Sequence, residues 1–452
     1  MSINNFISEN LILPLSDLAT DRRIYKYLKF LNKSQFWTRE QIDDYQNEKL
    51  RLLLHHAYTN VPFYNELFKD LRLKPEDIQT KEDLLKLPII TKDMLKLNKS
   101  KHLATNYKKK DLVFSSSSGS TAEPFQFYTT RDSASISRAS AIRSWYWMGY
   151  QLGDKYVKVS MNSRNNLIKK IQDYVNNCIY LSSNQIVSSE FTRIGNEIQK
   201  GNPKFIRCYP IPLQFLAQMI KKENQNYLAS DLVAINTTGS TLHDDVRKEI
   251  EEVFRVKIFD AYSCEGGSVF AQCPTHENYH PGEESAISEF IEDNVTLSDP
   301  ERPYRHITTD LHNYASPFIR YDTQDYIVLG EEKTCSCGRN YQNIKRIKGR
   351  DSDILRTPSG KLLIVENFVA YFQYVSEVDQ IQVIQDKENE ITINLIVNRA
   401  FNSEVHHKLS TYWSNYIGSD VIVTVEVVEE IKLTPTGKRR TVIRNPNISL
   451  ND

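Results

Sequence analysis

One stretch of the sequence is unusually rich in small hydroxyl side chains. It runs from Val113 to Phe125, and it starts with the end of a short apolar segment that predicts a strand. Hydroxyls and successive backbone N–H groups in a tight turn bind phosphate, because their aligned dipoles stabilise negative charge. The stretch lacks the Gly-Lys-Ser/Thr ending of a Walker loop. Two interpretations are therefore open from the residues alone: a phosphate-binding loop and a flexible linker.

A second group of residues has the chemistry of a metal site. Cys273 and His280 lie in one short segment, and Cys335 and Cys337 follow further along the chain. Three thiolates and one imidazole suit tetrahedral zinc. His276 competes with His280 for the fourth position. The alternative is a set of reduced, partly buried thiols without a metal, which a reducing compartment would preserve.

Residues 232–262 predict the structural unit that would position polar groups. An apolar strand is followed by a turn at Thr238–Thr241, a helix with one apolar stripe and a returning strand at 256–260. Thr241 is predicted to cap the helix. In a parallel sheet, ligands bind at the carboxyl ends of the strands. Both Thr238–Thr241 and Tyr262–Gly267 would lie at such ends, which favours a binding site there.

Periodicity predicts further elements on both sides of this unit. Helices are expected over residues 39–60 and 133–150, the second with an aromatic cluster typical of a core. Residues 318–329 predict a polar turn between two strands. After Arg350 the pattern changes to half-buried strands around one helix, typical of a compact α+β module. Three thiols, those of Cys178, Cys208 and Cys264, are interpreted as packing residues.

Composition excludes several classes of function. The 57 basic and 57 acidic residues balance, so no overall field attracts nucleic acid or an anionic membrane. No apolar run is long enough to span a bilayer, and the N-terminus lacks the pattern of a secretory signal. Six cysteines in 452 residues do not form a disulfide framework. A cytoplasmic monomer or homodimer acting on small molecules is expected.

Five groups of segments, in order, resemble the motifs of one family. The resemblance is to the adenylate-forming superfamily, and within it to the phenylacetate–coenzyme A ligase branch with its capsule-biosynthesis, CapK-like relatives. It covers nearly the whole chain. The segments are Ser115–Pro124, Thr238–Thr241 with Tyr262–Glu265, Ile319–Asp325, Arg346–Asp353 and Leu433–Lys438.

The resemblance implies an α/β fold with two domains. Residues 1–349 would form a large N-terminal domain with mixed or parallel sheets flanked by helices. Residues 350–452 would form a small, mobile α+β domain that turns about a hinge near Ser352 and Asp353. The implied reaction is attack of a carboxylic acid on the α-phosphate of ATP, giving an acyl adenylate and pyrophosphate.

The same resemblance implies roles for individual residues. Glu265 would hold Mg²⁺, Asp325 would accept hydrogen bonds from the ribose hydroxyls, and Arg350 would add a second contact. Lys438 would reach the α-phosphate and the carboxylate. The remaining nucleotide contacts are expected from Ser116, Ser117, Ser118, Gly119, Ser120, Thr121, Gly239, Ser240, Thr241 and Tyr262. Similar Cys/His segments in the branch favour a structural zinc at Cys273, His280, Cys335 and Cys337.

Coenzyme A is the acceptor that the resemblance implies first. Transfer to an amine of a sugar or peptide, adenylation of a deazaflavin without transfer, and a nucleotide-binding scaffold without turnover are the alternatives. Departures from the family pattern motivate the last. Ala122 and Glu123 replace glycine and lysine, Asp322 replaces arginine, and Ser263 replaces glycine.

Overall fold

The computed structural model describes most of the chain, and structural statements below concern these residues only. They are residues 2–116, 125–160, 166–182, 188–223, 229–292, 301–331, 334–350, 354–359, 361–364, 368, 371–372, 375–431, 440–445 and 448.

The helices begin and end where the sequence places caps and breakers. In the helix Arg39–Asn60, Thr38 caps the first turn with a reciprocal bond from Gln41, and Pro62 follows the last residue. The α-helices are α1 (Ile3–Ile7), α2 (Leu13–Thr20), α3 (Ile24–Ser34), α4 (Arg39–Asn60), α5 (Pro62–Asp70), α6 (Lys92–Leu97), α7 (Arg131–Trp147), α8 (Leu167–Val175), α9 (Ser188–Gly201), α10 (Pro210–Glu223), α11 (Asp244–Phe254) and α12 (Ser403–Ile417).

The strands fall into one large sheet and three small ones. In chain order they are β1 (Val113–Ser116), β2 (Gln126–Thr129), β3 (Tyr156–Ser160), β4 (Cys178–Ser182), β5 (Phe205–Cys208), β6 (Ala234–Thr238), β7 (Lys257–Ser263), β8 (Val269–Gln272), β9 (Tyr279–Pro281), β10 (Ala286–Ile291), β11 (Tyr304–Asp310), β12 (Tyr321–Leu329), β13 (Ile344–Arg350), β14 (Ile354–Arg356), β15 (Leu362–Ile364), β16 (Val378–Lys387), β17 (Glu390–Val397), β18 (Ile422–Val427) and β19 (Val442–Arg444).

The large sheet has eleven strands in the order β10-β11-β12-β13-β9-β8-β7-β6-β5-β3-β4. Strands β4, β3, β5, β6 and β7 are parallel, and the others pair antiparallel. The parallel half is covered by α9, α10 and α11, whose apolar residues share its core. The mixed α/β fold expected from the sequence is therefore confirmed, with β6-α11-β7 as the predicted β-α-β unit.

Two details of the sequence interpretation are wrong. Helix α11 begins at Asp244 after His243, which forms no side-chain cap, so Thr241 is not the N-cap. Residues 321–329 form the single strand β12 rather than a turn between two strands. The polar residues that suggested a turn occupy a bulge in this strand, where Gln324 has φ +61°.

The C-terminal residues build a separate core. Strands β16, β17, β18 and β19 form a four-stranded sheet in the order β18-β17-β16-β19, and helix α12 packs against it through Leu409, Trp413 and Ile417. The predicted strands and helix of this module are confirmed. The division at residues 349 and 350 stays a prediction. Within the described ranges, no helix has the length and apolar content that a bilayer crossing requires.

Candidate active site

The ends of two adjacent parallel strands bring the first candidate residues together. Thr238 of β6 pairs with Ala261 of β7, so Gly239 lies next to Tyr262. Gly239 has φ +84°, and a Cβ there would lie 2.4 Å from the Tyr209 ring. Only glycine fits this turn without strain. The exposed Gly239–Ser240 backbone thus faces solvent at the carboxyl end of the sheet.

A hydrogen bond joins Tyr262 to Asp325. The Tyr262 hydroxyl donates to Oδ2 of Asp325 at 2.5 Å, and the Asp325 side chain is buried. Burial and the Asp325 carboxylate raise the pKa of the Tyr262 hydroxyl above its usual range, so it remains a donor. One oxygen of Asp325 is thereby held by the protein. This bond fixes the orientation of the Asp325 carboxylate.

The bulge in β12 explains how Asp325 reaches Tyr262. Arg305 and Ile307 of β11 are two residues apart. Their pairing partners in β12, Tyr326 and Asp322, are four residues apart, so β12 contains two extra residues. Extra residues in a strand bend it and re-aim a side chain, as is common beside active sites. The backbone of Arg350 pairs with Asp325 from β13. The Arg350 side chain lies outside the described residues.

Glu265 lies in the turn after β7, and the two glycines that follow it permit close packing of this turn. A Cβ on Gly266 would lie 2.1 Å from Thr308, and one on Gly267 would lie 2.7 Å from the Asp310 carboxyl. Thr308 also donates a hydrogen bond to the Gly266 carbonyl at 3.0 Å. Glu265 itself is half-buried. The turn is therefore fixed against β11, with the Glu265 carboxylate on it.

Around these residues, sequence reasoning assigned only a packing role to Cys264 and missed His306 and Asp310. Burial and then the Glu265 and Asp325 carboxylates raise the pKa of the Cys264 thiol to about 12, so the thiol stays protonated. His306 Nδ1 lies 3.4 Å from the Tyr262 hydroxyl, and burial lowers its pKa to about 3. Burial raises the pKa of Asp310 to about 6. No sequence motif marks His306 or Asp310, because their burial depends on strands that are distant in the chain.

The predicted metal ligands converge on one point. The ligand atoms of Cys273, His280, Cys335 and Cys337 all lie within 4.8 Å of one another. The two segments meet because β9, which contains His280, pairs with β13, the first strand after the Cys335–Cys337 segment. His276 does not belong to the cluster, and its ring packs on Phe259 at 4.2 Å. Of the two candidate histidines, His280 is therefore the one that lies in the cluster.

The surroundings of the cluster suit a metal. His280 Nδ1 lies 3.2 Å from the Gln342 carbonyl, which leaves Nε2 facing the Cys337 sulfur at 3.2 Å. Metal-binding histidines usually hydrogen-bond a carbonyl or carboxylate through the other ring nitrogen. Contacts with Cys337 and His280, together with other hydrogen bonds, lower the pKa of the Cys273 thiol. Three sulfurs and one imidazole form a donor set that fits zinc.

Comparisons with known proteins agree with this architecture. The CapK C-terminal domain family matches residues 355–445. The chain is 24% identical to protein CapK of Staphylococcus aureus over 409 residues, which cover 88% of each chain. It is also 24% identical to a phenylacetate–coenzyme A ligase of Thermus thermophilus over 348 residues, covering 70% of this chain and 72% of the relative.

A solved structure has the same fold. The crystal structure of 2-hydroxyisobutyryl-CoA ligase, in the postadenylation state with R3-HIB-AMP, has a TM-score of 0.71 and 16% identity and covers 92% of both chains. The chain is therefore similar to adenylate-forming enzymes in both sequence and fold. Among them, the matches support the branch of phenylacetate–coenzyme A ligases and CapK. The resemblance stated from the sequence is thereby confirmed.

One departure from the adenylate-forming pattern has a structural explanation. Asp322 accepts hydrogen bonds from the Arg305 guanidinium, with Nε at 3.2 Å, and from the Gln324 backbone N–H at 2.9 Å. Its charge is neutralised, and it stabilises the bulge that carries Asp325. Ser263, the other described departure, is exposed at the end of β7. Neither side chain opposes binding of an anion.

Part of the predicted site lies outside the described residues. These residues are Ser117, Ser118, Gly119, Ser120, Thr121, Ala122, Glu123, Ser352, Asp353 and Lys438, and of Ser116 only the backbone is described. The flanking strands β1 and β2 form a hairpin. Phe127 of this hairpin packs edge-on against Phe318, 5.0 Å between ring centroids. The hairpin is thus anchored on the segment that leads into β12.

Proposed function

We propose that the protein activates a carboxylic acid with ATP, forming an acyl adenylate and releasing pyrophosphate. The observation that carries the proposal is the convergence of Gly239, Tyr262, Glu265 and Asp325, which three separate parts of the chain supply. Similarity to phenylacetate–coenzyme A ligases and to the fold of an acyl-CoA ligase supports it. In the reaction, one oxygen of the acid bonds to the α-phosphorus, and the bond from that phosphorus to the bridging oxygen of the β-phosphate breaks.

The residues contribute mainly alignment and charge neutralisation. A carboxylate is a weak nucleophile and its target is a polyanion, so orientation and electrostatic stabilisation lower the barrier. Asp325, held by Tyr262, would bind ribose hydroxyls, and the Gly239–Thr241 turn would contact the base. Glu265 is a suitable ligand for Mg²⁺, a hard cation that prefers oxygen. The Ser116–Thr121 loop would hold the β- and γ-phosphates, and Lys438 would neutralise the α-phosphate.

We infer that the acyl group then passes to a thiol such as coenzyme A. The thermophilic relative is named a phenylacetate–coenzyme A ligase, which supports this acceptor. In this step the thiol sulfur bonds to the acyl carbon, and AMP leaves with the electron pair of the mixed anhydride bond. An amine acceptor is the alternative, and product analysis with each nucleophile distinguishes them.

We also propose that Cys273, His280, Cys335 and Cys337 bind one zinc ion with a structural role. The cluster joins the β8–β9 connection to the segment before β13, and four protein ligands leave no position for a substrate.

Exchange of labelled pyrophosphate into ATP tests the main proposal. With Mg²⁺ and a panel of carboxylic acids, we expect exchange that depends on the acid. Lys438→Ala should lower the exchange rate by on the order of 100-fold or more, with ATP affinity changed only a few-fold, because the lysine acts on the developing charge. Lys408→Ala, on the exposed side of α12, is the matched control. Tight ATP binding without exchange for any acid would instead identify a nucleotide-binding scaffold.

A further inference from the structure

Two arginine side chains, those of Arg138 and Arg207, lie against the ring of Trp145. The guanidinium carbon of Arg138, from α7, lies 5.3 Å from the Trp145 ring centroid. That of Arg207, from β5, lies 4.8 Å from the same centroid. Both side chains are half-buried, and Trp145 is buried in a cluster with Tyr150, Tyr156 and Phe205. Two positive charges therefore lie close together against an apolar wall.

Among the described residues, neither arginine has a counter-charge. No hydrogen bond or ion pair joins Arg138 or Arg207 to any described side chain or backbone group. Arg143, on the same helix, behaves differently, because it is paired with Glu284 at 2.8 Å. Burial, and then the charge of Arg138, lower the pKa of Arg207 to about 10. Such a like-charged pair is unfavourable unless an anion binds between the two groups.

The position of Arg207 relates this pair to the site of activation. In the parallel sheet, Arg207 pairs with Lys158 on one side and Asn236 on the other. Asn236 is buried, and its Oδ1 has no hydrogen-bond partner among the described residues. Tyr209, two residues beyond Arg207, packs on the Gly239 turn. Arg207 therefore lies two residues before Tyr209, on the strand that leads to this residue.

We propose that the acid activated at this site carries a second anionic group, which binds to Arg138 and Arg207. The inference rests on the proposed function and defines its substrate class. The substrate is a short acid with one carboxylate to be activated and a second carboxylate or a phosphate at its other end. Guanidinium groups bind both kinds of oxyanion with paired hydrogen bonds. Trp145 and Tyr156 would contact the apolar link between the two acidic groups.

Matched acids test the proposal through the exchange reaction. The panel consists of succinate, glutarate and adipate, each compared with the monocarboxylate of the same length: butyrate, valerate and hexanoate. Glutaric and adipic acids with one phosphate in place of the distal carboxylate separate the two kinds of anion. We expect at least one dianion to have a kcat/KM about 10-fold or more above that of its monoanionic match.

Variants show whether the arginines cause the preference. Arg207→Met and Arg138→Met keep an unbranched apolar stem and remove the charge. Each should lower kcat/KM for the dianion by about 10- to 100-fold, the usual effect of losing a hydrogen bond to a charged group, and leave the monoanion within about 2-fold. Arg399→Met, in an exposed turn of the C-terminal module, is the control and should change neither. Circular dichroism and thermal melting verify that each variant folds.

Direct binding keeps this inference separate from the proposed function. Calorimetric titration of glutarate, adipate and their phosphate analogues into the wild-type protein and Arg207→Met needs no turnover. Binding that the variant loses, without exchange, supports the anion site and contradicts the ATP-dependent reaction. Equal turnover of dianions and monoanions, or unchanged preference in both variants, overturns the anion site and leaves acid activation standing. If no dianion binds and none is turned over, the anion site is also overturned.

Discussion

Burial raises the pKa of the Asp310 carboxyl group, which lies beside the Glu265 turn. Asp310 accepts two backbone hydrogen bonds, from His312 at 2.9 Å and Asn313 at 3.2 Å, yet burial raises its pKa from 3.8 to about 6. Its carboxyl group packs under Gly267. The folded protein therefore binds this proton more tightly than the unfolded chain. The resulting contribution to stability is complete below pH 4 and is lost as the pH rises through 6.

Asp310→Asn should remove this loss, because the amide keeps the accepting oxygen and carries no charge. At pH 8 we expect the variant to be more stable than the wild type by about 1–3 kcal/mol, because the Asp310 carboxyl of the wild type is then ionised while it is buried. Near pH 4 the difference should vanish. Urea unfolding at a series of pH values measures the free energies. A difference that does not depend on pH would contradict the raised pKa.

At the scale of elements, pairing of strands determines which side chains meet. The β12 bulge places Asp325 beside β7, and the pairing of β9 with β13 brings two cysteine segments together. Both contacts result from backbone pairing between strands that are distant in the chain. The cluster of Cys273, His280, Cys335 and Cys337 therefore lies where two segments distant in the chain meet.

The zinc proposal is tested at this scale. Elemental analysis of the purified protein should find about one zinc per chain. Cys335→Ser should lose the zinc and lower the melting temperature, because a structural metal contributes binding energy to folding. Cys178→Ser, at a half-buried thiol in another cluster, is the control and should retain the metal. Metal-free protein with a normal melting temperature would rule the site out.

At the scale of the whole molecule, the buried ion pair of Arg143 and Glu284 connects separate layers. Glu284 accepts hydrogen bonds from Arg143 of α7 at 2.8 Å, from Tyr341 at 2.6 Å and from Ser34 at the end of α3. Arg143 and Glu284 are almost fully buried. Burial favours the neutral acid, but the Arg143 charge and the two hydroxyls outweigh it and lower the pKa of Glu284. Its contribution is therefore present at neutral pH and is lost as the pH falls through the lowered pKa.

Arg143→Met should destabilise the protein by about 3–5 kcal/mol, because it leaves the Glu284 carboxylate buried without a counter-charge. Arg143→Met combined with Glu284→Gln should recover part of this loss. The exposed pair of Arg23 and Asp132 offers the comparison, and Arg23→Met should cost less than about 1 kcal/mol. Chemical denaturation of the four proteins gives these values. Similar small losses for Arg143→Met and Arg23→Met would show that the buried pair contributes little.

Much of the architecture could be predicted from local pattern. Residues 39–60 form the expected helix because periodic apolar positions, the Thr38 cap and Pro62 all act within the segment. The β6-α11-β7 unit and the strands after residue 378 follow from periodicity in the same way. The errors concern Thr241 and the β12 bulge. Both depend on contacts with other elements, which local propensity does not contain.

By itself the sequence determined the fold class, the resemblance to adenylate-forming enzymes and the types of residue available for chemistry, because these depend on local periodicity and short motifs. Only the tertiary structure decided which of them meet. It joined Tyr262 to Asp325, chose His280 over His276 and neutralised Asp322 with Arg305. The physical reason is that burial, charge pairing and strand register arise between residues far apart in the chain.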